Sequence, residues 1–377
     1  MLQRSRSLAT VIIAMVSILL VALPLERARD GGAVVGFLVP SLTTTAIFAI
    51  ICIGLNIQWG YTGIFNFGVV AFFMIGAYTA AIFTVPPADD EFSTYVGGFG
   101  DALSVLPGLG GQEWLPFAVA VVAAAAFSAI LALLLGLATL RLREDYLAIA
   151  LIGIAELLRR IVIEEQGLVN GTRGLGGIPR PFAGWVSSDN YKYLYFALVL
   201  AVLALVYLMV ELGLRSPWGR VLRAIREDEE AAAASGKDVF RFKLQGFVFG
   251  AALMGAGGAF YAFQQGAVTP EAFTHFFGTF IFWAMLIVGG SGNTAGAIVG
   301  AYVIWGLWSI TLQIQGYDLP AFIQSRIFHI RDFFVGALIV VVLLANPRGL
   351  LPERARVSRW LDRRMEMMRR TESSKPS

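Results

Sequence analysis

The chain is short of charge, cysteine and histidine. Asp, Glu, Lys and Arg make up 15% of its 377 residues, against about 25% in soluble domains. That is too little to clothe a water-soluble fold of this length. The single cysteine, Cys52, excludes an internal disulfide and a thiolate zinc site. Set in an apolar run, it reads as a small buried hydrophobe. Two histidines, His275 and His329, lie too far apart for ligand spacing and read as loop-side or interfacial residues. No Ser-His-Asp order, no HExxH and no paired inward carboxylates are visible, so a catalytic role has no residues to rest on. A net charge of +3 is too small for a nucleic-acid partner. "GGSGNTAGAIVG" and "LVNGTRGLGGIP" look like phosphate loops but lack the lysine, and Gly290, Gly292 and Gly296 are spaced GxGxxxG. No cofactor or metal is expected.

What is present is apolar: 57% of residues are hydrophobic and mean hydropathy is +0.71. About ten segments approach the roughly 20 residues that a bilayer requires: 8–23, 33–57, 64–85, 116–140, 146–163, 193–212, 244–263, 276–289, 295–314 and 333–344. In lipid every backbone polar group must be satisfied internally, so the fold class is all-α, a polytopic membrane protein. The first segment follows Arg4 and Arg6, but "VALPLERARDG" offers no small-x-small cleavage site, so it reads as a retained anchor rather than a signal peptide.

Lys and Arg set the orientation. With the N-terminus inside, the loop at 86–115 is outside; it holds Asp89, Asp90, Glu91, Asp101 and Glu113 and no Lys or Arg. "RLRED" at 141–145, the charged stretch at 213–243 and the basic tail at 346–377 then all fall in the cytoplasm. Residues 1–345 form the membrane domain. The tail reads either as a basic helix on anionic headgroups or as a solvated topogenic segment.

Glycine is abundant, at 41 residues. Gly292, Gly296 and Gly300 recur at helical spacing, and Gly255 and Gly258 fall close together in the seventh segment. Small residues so placed let helix backbones approach in lipid, and helix packing is their expected role. Polar residues at membrane depth ask for a reason. Asn56, Gln58, Tyr61, Thr62, Gly63 and Asn66 cluster in "LNIQWGYTGIFNFG", where Gly60 and Gly63 interrupt the apolar run. A broken helix of this kind often lines a transport path. Glu156 precedes Arg159 and Arg160 by three and four residues, on one helical face. That trio is either a self-neutralising anchor or the polar lining of a path.

The densest charge is in "SPWGRVLRAIREDEEAAAASGKDVFRFKLQGF", 216–247. Ser216 suits an N-cap, Pro217 the first turn and Gly236 a stop. One helix of about five turns is expected between them, with Arg223–Glu227 and Arg226–Glu230 pairs at i,i+4. Held between two membrane segments, it suits the docking of a soluble partner.

This stretch resembles the cytoplasmic coupling loop of branched-chain amino acid ABC importer permeases of the LivM type, whose pattern runs SPxGRxLRAIREDExAAxxxGxxxxxxKLxxFxxxA. Ser216, Pro217, Gly219, Arg220, Leu222, Arg223, Ala224, Ile225, Arg226, Glu227, Asp228, Glu229, Ala231, Ala232, Gly236, Lys243, Leu244, Phe247 and Ala251 match it. "GYTGIFNFGVVAFFMIGAYTAA", "DYLAIALIGIAELLRR", "NGTRGLGGIP", "MLIVGGSGNTAGAIVGA" and "NPRGLLPER" are similar to further blocks of that family. The resemblance covers 46–354. It departs at Phe67-Gly68-Val69, where many members carry a polar or His-containing "LGH", and in the expanded acidic loop.

The resemblance implies a type II importer fold of two inverted halves, of which the repeated Gly-Ala-Tyr at 76–78 and 300–302 is a slight trace. It implies a second, related permease subunit, two ATP-binding cassette ATPase subunits and an extracytoplasmic solute-binding protein, in the inner membrane with both termini cytoplasmic. It implies alternating access for branched-chain or other hydrophobic amino acids, driven by ATPases pushing on the helix after Ser216. Urea or short amides are the alternative substrates. A secondary transporter or channel is the alternative class; it calls for ionisable residues in several spans, and Glu156 is the one that qualifies well.

Overall fold

The computed structural model of the protein describes residues 16–17, 31–86, 114–314 and 326–353. Most of the first apolar segment, the acidic loop and the basic tail lie outside these residues. Of that first segment, Val16 is buried and the Ser17 hydroxyl lies 2.7 Å from that of Tyr302.

Each later apolar segment closes its backbone hydrogen bonds as a helix. These are α1 (Gly31–Leu55), α2 (Val69–Thr84), α3 (Trp114–Thr139), α4 (Glu144–Glu164) and α5 (Tyr191–Arg215). Two short helices follow, α6 (Pro217–Glu227) and α7 (Glu229–Ala234). Then come α8 (Val239–Gln265), α9 (Ile281–Gly289), α10 (Thr294–Ile314) and α11 (Ile327–Ala345). Two π-helical turns interrupt the regularity: Asn56–Tyr61 continues α1, and Phe276–Phe280 leads into α9.

Among the described residues, five stretches are long and apolar enough to span a bilayer: Gly36–Tyr61, Pro116–Thr139, Tyr191–Arg215, Val239–Gln265 and Thr294–Thr311. The chain is a multi-pass membrane protein. α2 and Phe276–Gly289 are apolar but shorter. Helices overrun the apolar windows read from the sequence because polar residues finish them. Asp238 caps α8 by accepting from the Arg241 N–H at 3.1 Å, and Gly266, at φ 69°, ends it.

α8 is the hub: it packs on α1, α2 and α3, while α1 also meets α5 and α10. Both α1 and α8 are buried along most of their length. α3 and α5 instead carry exposed apolar stripes, Phe127, Ile130 and Leu134 on one and Leu205, Leu208 and Leu212 on the other. These are the surfaces suited to lipid.

Backbones come close where glycines sit. A Cβ on Gly76 of α2 would lie 2.1 Å from the Gly255 carbonyl oxygen of α8, and one on Gly258 would lie 2.2 Å from that of Phe73. A Cβ on Gly300 would lie 1.8 Å from the Met285 carbonyl oxygen, and one on Gly296 would lie 2.6 Å from that of Gly290. Gly292 lies outside any helix, at φ 76° in the turn between α9 and α10.

The described helices run between two ends of the bundle. At one end β1 (Leu175–Gly176) pairs antiparallel with β2 (Ala267–Val268), and the Ile178 N–H donates to Gly266 at 3.1 Å. At the other end the α1 terminus, α6, the α9–α10 turn and the stretch at 346–353 converge.

Candidate functional site

α6 begins where Ser216 turns the chain. Its hydroxyl donates to Gly213 at 2.6 Å and accepts from the Trp218 N–H at 3.2 Å, and Pro217 opens the first turn. Gly219, Leu222 and Ile225 are buried, while Arg220, Ala224 and Glu227 face out. A Cβ at Gly219 would lie 2.4 Å from the Leu214 backbone, so the helix folds tightly back on the end of α5.

The expected five-turn helix is broken at Asp228. That residue is extended (φ −156°, ψ 107°) and its carboxylate accepts from the Ala231 N–H at 2.9 Å. The break follows from capping chemistry: an Asp before Glu-Glu starts a new helix better than it continues an old one. Glu229 of α7 pairs with Lys243 of α8, Ala232 is buried, and Gly236, at φ 77°, ends the unit.

Arg223 and Arg226 of α6 reach inward. Arg223 donates to the Leu214 and Gly219 carbonyls and its guanidinium carbon lies 5.9 Å from the Tyr61 ring centroid. Arg226 does not pair with Glu230. It donates to the Gly60 carbonyl and, 2.8 Å away, to the Glu353 carboxylate.

Gly60 belongs to the π-turn that ends α1. The polar residues read from the sequence come together there, but they face protein. Asn56, Gln58 and Asn66 are 0% exposed. Gln58 donates to Phe247 of α8 at 2.7 Å, and Asn66 donates to Gln58 at 2.7 Å. Asn56 accepts from the Gly292 N–H at 2.9 Å. Thr62 donates to Ile57 at 2.8 Å. The Tyr61 and Thr294 hydroxyls lie 3.3 Å apart, and Thr294 donates onward to Glu211 at 3.0 Å. Among the described residues the Asn56 Nδ2 is buried without a hydrogen-bond partner; the other bonds brace an irregular backbone that lipid would not tolerate bare. Gly63 takes φ 81°, and a Cβ there would sit 3.4 Å from Arg226 Cγ. From Gly63 the chain climbs into the bundle until Gly68 abuts the Leu151 carbonyl, about 10 Å beyond the start of α4 at 1.5 Å per residue.

The half-exposed side of this climb is aromatic, a feature hidden from a reading of the sequence that follows polar residues. Trp59, Phe65 and Phe67 gather around Trp283, with ring centroids 5.5, 5.9 and 4.7 Å from it. Trp283 donates its indole N–H to the Asn66 carbonyl at 3.0 Å. Phe280 continues the row, 6.0 Å from Phe67.

Glu156 lies away from the π-turn. It accepts from Arg159 at 3.0 Å through two bonds and from Arg160 at 3.0 Å. His275 Nε2, from the loop before α9, is 3.6 Å from the same carboxylate.

Two cavities adjoin at the α6 end. The larger, of about 800 Å³, lies between α6 and the stretch at 347–353; the smaller, of about 320 Å³, is lined by Trp59, Gly63, Phe65 and Glu144. Arg226 and Ser291 line both. The wall at 346–353 is fixed by backbone bonds from Leu350 to Val288 (2.8 Å) and from Leu351 to Gly289 (2.9 Å). Glu353, which contacts Arg226, is singled out by no reading of the sequence; its signal is its place within "NPRGLLPER".

The sequence is similar to those of known transport proteins. The family model described as the permease component of the branched-chain amino acid transport system matches residues 37–343. The high-affinity branched-chain amino acid transport system permease protein LivM of Salmonella typhimurium is 31% identical over 333 residues, 82% of this chain and 69% of the relative. Its Escherichia coli counterpart is 30% identical over the same shares. A probable branched-chain amino acid transport permease protein LivM of Methanocaldococcus jannaschii is 28% identical over 330 residues, 82% of this chain and 91% of the relative. No solved structure matches significantly.

Proposed function

The chain belongs to the family of branched-chain amino acid transport permease components, and from that premise we propose how it works: it carries branched-chain or other hydrophobic amino acids inward by alternating access, powered by separate ATPases. As an ABC-importer permease it acts with partner subunits. Those partners are a second, related permease, two ATPases and an extracytoplasmic solute-binding protein. The membrane is the inner one, and both termini face the cytoplasm.

α6 is the element the ATPases move. The observation that carries this reading is the bond from Arg226 to the Gly60 carbonyl. It ties an exposed amphipathic helix to the irregular end of α1, so displacing the one strains the other. Tyr61 beneath Arg223 adds a second contact between them. The energy must come from a partner that binds two states differently, since a ligand shifts an equilibrium only by its differential affinity.

The path runs along the aromatic row from Trp59 and Phe65 to Phe280, with the second permease closing its open side. Asn56, Gln58, Thr62 and Asn66 serve the path as its frame, and Glu156 with Arg159 sits at its far end. An apolar, aromatic wall suits the side chains of Leu, Ile and Val better than urea. The test is uptake in proteoliposomes holding both permeases and both ATPases, with labelled leucine competed by Ile, Val and urea. Competition by Ile and Val supports the reading, and competition by urea alone overturns it.

A further inference from the structure

The cavity of about 800 Å³ beside α6 is walled by Arg215, Arg220, Arg223, Arg226 and Arg348. Two carboxylates, Glu227 and Glu353, line the same space. Five charges against two leave an excess of three, as large as the net charge of the whole chain. Cations held this close repel one another, and an arriving anion relieves that repulsion.

All five cations are arginines, whose planar guanidinium fork matches a carboxylate or a phosphate in two parallel bonds; the resident anion favours a carboxylate. One of them already holds a carboxylate: Arg226 binds Glu353 at 2.8 Å, and both side chains are partly exposed, at 24% and 31%. A pair this wet is held weakly and exchanges readily. Arg220 and Arg348 are exposed and make no ion pair among the described residues. Arg215 reaches Glu211 only at 3.5 Å.

The walls narrow the source. The cavity lies between α6 and the 347–353 stretch, on the face that carries the helix assigned above to ATPase docking. Resting on that assignment, we propose that the arginine cavity receives an acidic segment of the docked ATPase, whose carboxylates bind Arg220 and Arg348 and compete with Glu353 for Arg226. Glu353 is then a resident stand-in for the partner's carboxylate. When the partner takes Arg226, the bond from Arg226 to the Gly60 carbonyl remains as the route from the ATPase to α1.

The test uses the full-length chain with its partner permease in detergent, and reads the affinity of the purified ATPase subunits at several salt concentrations. The double variant R220E/R348E is expected to bind about tenfold more weakly, on the scale of breaking a charged contact across an interface, and with a shallower salt dependence. R220K/R348K, which keeps the charge, controls for folding and retains most of the affinity. Glu353→Gln removes the internal competitor, and binding tightens by about threefold; a merely structural Glu353 would loosen it. If R220E/R348E binds the ATPase with unchanged affinity and salt response, the proposal is overturned while docking on α6 stands. If that variant loses only its binding to anionic phospholipid vesicles, the cavity serves a headgroup phosphate and the proposal is likewise overturned. If the unmodified complex recruits no ATPase at all, the docking assignment itself falls, and the proposal with it.

Discussion

The guanidinium of Arg226 bridges the Gly60 carbonyl and the Glu353 carboxylate. One residue of α6 thus touches the end of α1 and the stretch beyond α11. A side chain with a single donor head could not hold both in this geometry.

Charge reversal at Arg226 follows as the first prediction. R226E removes the charge-assisted bond to the Gly60 carbonyl, worth about 1.5–3 kcal/mol, which corresponds to tenfold or more. Uptake is expected to fall by at least that factor, while the partner ATPases go on hydrolysing ATP and the chain still inserts. R223E, beside it over Tyr61, uncouples in the same way, and R226K falls between. Uptake and hydrolysis are measured together in proteoliposomes, and normal uptake by R226E refutes the linkage.

Three glycines separate steric fit from backbone conformation. A Cβ at Gly60 would lie 1.9 Å from Asn56 Oδ1, a buried side-chain oxygen, and 2.5 Å from the Gly292 backbone nitrogen. Gly60→Ala is expected to cost about 1–3 kcal/mol as overpacking. Gly63→Ala meets ordinary contacts but must hold φ 81°, at about 1–2 kcal/mol. A Cβ at Gly153 would have no neighbour within 4 Å, so Gly153→Ala in α4 is neutral or slightly stabilising. Thermal unfolding of the purified variants gives the order, and a Gly153→Ala loss equal to that of Gly60→Ala would contradict it.

The spans were legible because lipid imposes one rule on all of them: the helices from α1 to α11 that follow apolar windows were written in hydropathy. Ser216, Pro217 and Gly236 marked the charged unit because capping is local chemistry. The break at Asp228 was equally local, but an alanine run of high helix propensity obscured it. Partners remote in sequence were not legible. Arg226 had Glu230 at helical spacing, and no pattern announces that Glu353, 127 residues on, is nearer. The polar cluster at 56–66 announced irregular backbone correctly, yet buried amides there point at Phe247 and Gly292. The path proposed above meets the aromatic side, which in a chain this rich in Phe carries no distinguishing signal.

Orientation can be tested with one thiol. Cys52, the sole cysteine, is 0% exposed, so a polar maleimide finds no background target. Glu229 on α7 is exposed, and its pair with Lys243 is a surface contact worth about 0–1 kcal/mol. E229C is expected to react in inverted vesicles and not in intact cells. Labelling from outside would put α6 on the wrong side for any ATPase.

Glu156 offers the sharpest contrast between anchor and path. Its carboxylate serves Arg159, Arg160 and, at 3.6 Å, His275. Both ring nitrogens of His275 are buried without a hydrogen bond, so Glu156 is the charge that ring faces. As a mere surface anchor the cluster is worth about 0.2–1 kcal/mol, and Glu156→Gln would move neither stability nor uptake. As the polar end of the path it holds two guanidinium groups in place, and an amide cannot replace its charge. E156Q is then expected to raise the KM for leucine several-fold, leaving the maximal rate and the melting temperature near those of the parent. R159K, which keeps the charge but loses the fork, should raise KM by less. An unchanged KM in E156Q would reduce the trio to an anchor and end the path short of α4.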